Sequence, residues 1–252
     1  MSFRLLCVTA HPDDESAAFG GALMMAHREG VETSLLCFTD GQAAHYRGEA
    51  ADAEELGRLR RSELEAAGEI LGLTRSEVLN YPDGELLKQE MLELVGAVVE
   101  RIRKLRPHVV LTFGGDGNVN LHRDHTIVSM ATTAAFHWAA RNIYFPEQLD
   151  QGLSVYAPQK LYYLSTPFIT VRGEPELASL PRMPYSLTLE LGELADRKME
   201  AFAKHSTQAG VLDRVREIQE PHKMTERYLL VAAPGLVDAA ADTALFDGVC
   251  PD

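Results

Sequence analysis

Only three cysteines, Cys7, Cys37 and Cys250, occur in 252 residues, and no two of them form a CxxC pair. That scatter argues against a thiolate-held structural zinc and for a reducing, cytoplasmic setting. Cys7 and Cys37 sit inside apolar runs and read as buried free thiols. Basic charge is also scarce: 24 Lys and Arg stand against 37 Asp and Glu, a formal charge of −13. Nucleic acid and anionic membrane surfaces are therefore poor partners. No stretch of 18 apolar residues occurs, so no membrane span is expected. The N-terminus carries neither a basic n-region nor a small-residue cleavage site. The glycine pairs at 20–21 and 114–115 do not make G-x-G-x-x-G after the first strand, which sets aside a dinucleotide site.

What is present suits an ordinary globular protein, 46% hydrophobic and 24% charged, with enough chain for a sizeable core. Residues 3–10 read as a buried strand, and "SAAFGGALMMAHREG" as a helix stopping at Gly30. "ETSLLCFT" is a second strand, 54–71 a helix and "SEVLNY" a third strand. A helix over 88–104, the strand "PHVVLTF", the glycine-rich loop "GGDGNVN" and a helix over 125–140 follow. Alternation of this kind predicts an α/β fold with a mostly parallel sheet and helices on both faces. Beyond 141 the pattern weakens to strands at "KLYYLS" and "YSLTLEL" and a helix over "LGELADRKMEAFAKHS". One domain over 1–252 is the economical expectation, with a core at 3–140 and an elaborated C-terminal part at 141–252.

Ligands of open parallel sheets bind beyond the carboxyl ends of the strands. Three polar clusters fall there: "AHPDDE", "TDG" and "GGDGNVNLHRDH". The first and last bring His11, Asp13 and Asp14 to the same edge as His122, Asp124 and His125. Two histidines and a carboxylate suit a catalytic zinc that keeps one position open. One further aspartate and one further histidine are what a hydrolase needs as base and acid. The competing reading is a helix cap at Asp13 or Asp14 with unrelated histidines elsewhere. Residue types alone do not decide which aspartate is ligand and which is base.

"AHPDDE" at a strand end, followed by "HRDH" after a glycine-rich loop, resembles the PIG-L or LmbE-like family of zinc-dependent N-deacetylases. The resemblance runs from residue 4 to about 140 and returns weakly at "KMEAFAKHSTQ". It implies a Rossmann-like three-layer sandwich and a zinc ion, or another divalent metal, held by His11, Asp14 and His125. The implied reaction is removal of an N-acetyl group from an N-acetylglucosamine-type sugar or its conjugate by zinc-activated water. Asp13 would be the general base. His122 would meet the oxyanion and protonate the amine, with Asp124 holding His122 in its charged form. Arg60 and Asp83 match positions that contact substrate in the family. For Arg60 the alternative is an exposed helix residue paired with Glu63, and for Asp83 a turn residue before Gly84.

The chain departs from the family pattern at Arg123, where a proline is common, and at Asn120, where some members have tyrosine. Both positions are candidate substrate contacts. An amidase of thiol conjugates and a non-catalytic binding domain of the same fold are the other readings. The complete set His11, Asp13, Asp14, His122 and His125 argues against the last. His27, His108, His137 and His222 lack partner spacing. His45 is placed to line the mouth of the site, and His205 reads as structural or supporting. The partner is a small molecule, and a homo-oligomer is left open.

Overall fold

The computed structural model describes residues 2–166, 183–213, 224–235, 238 and 242–251. Strands β1 (Arg4–Thr9), β2 (Glu32–Thr39), β3 (Arg75–Tyr81), β4 (Val109–Thr112) and β5 (Lys160–Leu164) pair in parallel, while β7 (Thr225–Ala232) lies antiparallel to both β5 and β6 (Leu187–Glu190). The strands form one sheet in the order β3-β2-β1-β4-β5-β7-β6. β1 and β4 are almost wholly buried, as strands covered on both faces must be, and both read as continuous apolar runs.

The chain runs outward from β1 in two directions, to β2 and β3 on one side and to β4 on the other. A crevice opens at such a switch point, beyond the carboxyl ends of the two central strands. The "AHPDDE" segment leaves β1 there, and the "GGDGNVNLHRDH" loop leaves β4.

Helices α1 (Asp14–Arg28), α2 (Ala53–Leu71), α3 (Met91–Leu105), α4 (Arg123–Trp138), α5 (Pro146–Asp150) and α6 (Leu194–Phe202) connect or cover the strands. α2 starts where Asp52 accepts the Glu55 N–H at 2.8 Å and ends at Gly72, whose φ of 74° suits a residue without Cβ. The corner between α4 and α5 is built around Arg103, 2% exposed. Its guanidinium donates to the carbonyls of Ala139, Arg141, Tyr144 and Phe145 and to Gln148 Oε1 at 2.8–3.2 Å.

Two elements of the second half, α5 and β7, are not anticipated by the sequence pattern. In "TERYLLVA" the residues facing inward are Glu226, Tyr228 and Leu230. A carboxylate at an inward position breaks the alternation that signals a half-buried strand. Its burial is offset by four donors: Lys198 Nζ at 2.7 Å, Tyr228 OH at 2.7 Å, and the amides of Gly21 and Ala22 at 2.7 and 2.9 Å. The glycine lets this carboxylate reach the α1 backbone, since a Cβ on Gly21 would stand 2.3 Å from Leu191 and 2.8 Å from Glu226. Gly21→Ala is accordingly expected to cost about 1–3 kcal/mol. Thermal unfolding checks it, at about 2–4 °C per kcal/mol for a chain of this size.

Candidate active site

The first ligand-type residues follow β1 directly. His11 and Asp14 are both 8% exposed, and His125 is 3% exposed. α1 starts at Asp14, so its carboxylate turns back across its own first turn and accepts the amides of Ala10 and His11 on Oδ2 at 3.2 and 2.8 Å. That oxygen also lies 3.5 Å from His11 Nδ1, while Oδ1 lies 3.2 Å from His125 Nε2. Asp14 thus stands between the two histidines. The free cap of the competing reading is absent at Asp13 too, which makes no side-chain hydrogen bond to α1.

The tautomers follow from the partners. His125 Nδ1 lies 3.1 Å from the Gly117 carbonyl, which can only accept, so Nδ1 carries the proton. The other nitrogen, Nε2, is buried and faces the Asp14 carboxylate. His11 Nε2 lies 3.0 Å from Asp83 Oδ1 and 3.3 Å from Asp124 Oδ2, which places its proton there and leaves Nδ1 facing Asp14. Burial works against charge on His11, but Asp124, Asp14 and Asp83 outweigh it and hold its pKa well above the ordinary value. Two imidazole nitrogens facing one carboxylate, in a pocket that favours positive charge, fit a divalent cation. Phe113 backs this arrangement, its ring stacked on His125 at 4.0 Å.

Among the described residues, the donor groups whose ligand atoms all lie within 4.8 Å of one another are His11, His122 and His125, and His11, Asp83 and Asp124, neither of which includes Asp14. In the second, both carboxylates are already engaged by backbone. Asp124 accepts from Gly84 and Leu86 at 2.7 and 3.3 Å, and Asp83 accepts from Ala43 at 3.1 Å.

Asp13 is set apart from these groups. Its backbone has φ 128°, outside the usual range of an L residue. Its carboxylate receives Arg60 Nη2 at 3.0 Å. Burial raises the Asp13 pKa to about 6, with Arg60 pulling the other way.

The arginine is not the exposed, Glu63-paired residue of the alternative reading. Arg60 is 2% exposed and donates to Asp13, to the Pro12 carbonyl and to the Gly41 carbonyl. Gly41 is required there, because a Cβ would fall 2.1 Å from Arg60 Nη1. Glu63, the expected partner, instead binds Ser206 and Thr207.

His122 caps α4, its Nδ1 accepting the Asp124 amide at 3.2 Å. The expectation that the Asp124 carboxylate keeps His122 charged is overturned. That carboxylate points to His11 and the Gly84 and Leu86 amides, and burial together with His11 and His125 lowers the His122 pKa to about 4. His122 is therefore neutral, with its proton on Nε2. Its ring meets that of His11 edge-on at 4.7 Å.

Asn120 is exposed and its Oδ1 accepts the His122 amide at 3.1 Å, while Arg123 is exposed at the start of α4. His45 is exposed and lies edge-on to Tyr46. Cys7 and Cys37 are buried and free, and His222 lies outside the described residues. Among the described residues, no helix is long and apolar enough to cross a membrane. The group that sequence reasoning missed is Glu15, fully buried against His205 at 2.7 Å. Its only signal was a third consecutive acidic residue.

The sequence profile of the family described as "PIG-L: GlcNAc-PI de-N-acetylase" matches residues 6–136. A 1D-myo-inositol 2-acetamido-2-deoxy-alpha-D-glucopyranoside deacetylase of Rhodococcus jostii (strain RHA1) is 30% identical, over 98% of each chain. A mycothiol S-conjugate amidase of Streptomyces coelicolor is 31% identical over 64% of this chain and 60% of its own length. Among solved structures, the N,N'-diacetylchitobiose deacetylase from Pyrococcus horikoshii superposes with a TM-score of 0.73 at 21% identity, covering 91% of this chain and 84% of that one. The last likeness shows the fold.

Proposed function

The chain belongs to the GlcNAc-PI de-N-acetylase family, and from that premise we propose that it hydrolyses the acetamido group of an N-acetylglucosamine-type sugar or its conjugate. His11, Asp14 and His125 would hold the metal, and two histidines with one carboxylate match a catalytic zinc site. The observation that carries the reading is the convergence of His11 Nδ1 and His125 Nε2 on the Asp14 carboxylate, at 3.5 and 3.2 Å.

When bound, the metal supplies Lewis acidity toward the amide carbonyl and toward water. The chain's own residues divide the remaining work. Asp13 takes the proton of the attacking water, and Arg60 holds its carboxylate in place. His122, neutral with its proton on Nε2, donates a hydrogen bond to the oxygen where negative charge develops. The proton taken by Asp13 is then the one available to the departing amine, which replaces the acid role first expected of His122. Asp83 and Asp124 hold the Nε2 proton of His11, an arrangement that orients a ligating ring and raises its basicity. Arg123 and Asn120, exposed beside His122, remain the candidates for substrate contact.

The amide of a thiol conjugate is the second substrate class, favoured by the Streptomyces relative. Elemental analysis of the purified protein, with acetate release from N-acetylglucosamine and its inositol conjugate, tests the reading. About one divalent metal per chain together with acetate release is expected. Metal without acetate, but with cleavage of the amide of a thiol S-conjugate, moves the protein to the second class. A folded chain that takes up no zinc overturns both.

A further inference from the structure

A buried polar cluster lies beside the candidate site, and the roles assigned above do not use it. Glu15 is fully buried and His205 is 1% exposed. Glu15 Oε1 lies 2.7 Å from His205 Nε2 and accepts the Ser16 hydroxyl at 2.7 Å. Its other oxygen accepts the backbone N–H of Asp13 at 3.0 Å. His205 comes from the turn after α6, outside the stretch matched by the family profile, which ends at residue 136.

Asp13 needs something to hold it. With φ 128° and ψ −25° it occupies a region that non-glycine residues keep only when their surroundings over-determine it. Its side chain makes no capping bond that would fix it. The peptide N–H is held by Glu15 and the carboxylate by Arg60. Burial opposes charge on His205, but the neighbouring Glu15 carboxylate holds its pKa above the ordinary value. The 2.7 Å contact with His205 fixes the Glu15 carboxylate.

We propose that Glu15, locked by His205, is a positioning residue whose hydrogen bond to the Asp13 amide holds Asp13 in its left-handed backbone conformation and so fixes where the base carboxylate stands. Through this clamp the C-terminal part of the chain sets the geometry of a base carried on the loop after β1. The inference rests on the reading of Asp13 as base.

The test uses the full chain with Glu15→Ala, Glu15→Gln, His205→Phe, Asp13→Asn and the double variant Glu15→Ala/Asp13→Asn. Metal content, kcat and KM for acetate release are measured for each. Glutamine keeps an oxygen for the Asp13 amide, and its NH2 can donate to Nε2 of a neutral His205, so Glu15→Gln is expected near wild type. Glu15→Ala and His205→Phe should lose about 10–100-fold in kcat, as supporting groups of metal sites do. Their metal content should stay unchanged, and their KM should move by less than about twofold. In the Asp13→Asn background, Glu15→Ala should cost nothing further in kcat, since the base it serves is gone.

A purely structural tie between α1 and α6 predicts otherwise. Stability would fall, kcat of the folded enzyme would stay, and any effect would multiply in the double variant. Either result overturns the proposal. A crystal structure of Glu15→Ala gives a reading independent of activity. Residue 13 should leave positive φ, and an unchanged φ sinks the clamp even if the wild type releases no acetate. If Glu15→Ala does not fold, the same measurements are read on His205→Phe.

Discussion

Alanine at His125 is expected to remove the metal and at least about 10³-fold of acetate release together, since a Lewis acid contributes several kcal/mol to such a reaction. Three features make this position sensitive. Its Nδ1 proton is committed to the Gly117 carbonyl, its buried Nε2 faces Asp14 Oδ1 at 3.2 Å, and its ring is stacked on Phe113. A solvent molecule in the space left by alanine would lack that orientation. Asp124→Asn provides the contrast. That carboxylate holds His11 and two loop amides, so its loss should lower activity by about 10–100-fold with metal partly retained. Metal retained at full stoichiometry in His125→Ala would shift the ligand set to His11, Asp83 and Asp124.

The second large effect is expected at Arg60. Removing one partner of a buried ion pair typically costs about 3–5 kcal/mol, and the part-exposed Asp13, with its side chain at 18%, places Arg60→Ala toward the lower end. Activity should fall with stability, because Asp13 would lose the group that fixes its carboxylate. Lysine is not expected to restore it. The guanidinium reaches Asp13, Pro12 and Gly41 at once through a planar fork that an ammonium does not have. A kinetic split separates this role from the substrate contact expected from sequence. Loss in kcat with KM held marks a residue that positions the base, whereas a raised KM with kcat intact marks a substrate contact.

The sequence was most legible where one force decides the outcome. The first half of the chain alternates apolar strands with amphipathic helices, and its sheet forms as that pattern requires. The polar clusters at the strand ends could only meet at the switch point between β1 and β4. Legibility failed where a buried polar group depends on a distant partner. Glu226 hid β7, because its donors lie on α1, α6 and the strand itself. The burial of Arg60 was hidden because Gly41, which makes room for it, lies in another loop. The direction of the Asp124 carboxylate was equally hidden. Spacing of two residues from His122 suggested a contact, but the helical turn aims it at His11 and the 84–86 loop. Glu15 was passed over because its partner stands 190 positions away in the chain.

The corner gripped by Arg103 behaves differently from the rest of this acidic molecule. Its oxygen partners are four peptide carbonyls and one carboxamide. None of these gains or loses a proton in the range a cell experiences, and the guanidinium keeps its own. Acidification or added salt, which redistribute charge among the clustered carboxylates of the crevice, leave this joint untouched. The last turn of α4 is thereby moored to an electrolyte-indifferent anchor, at the far end of the helix whose first turn carries His125.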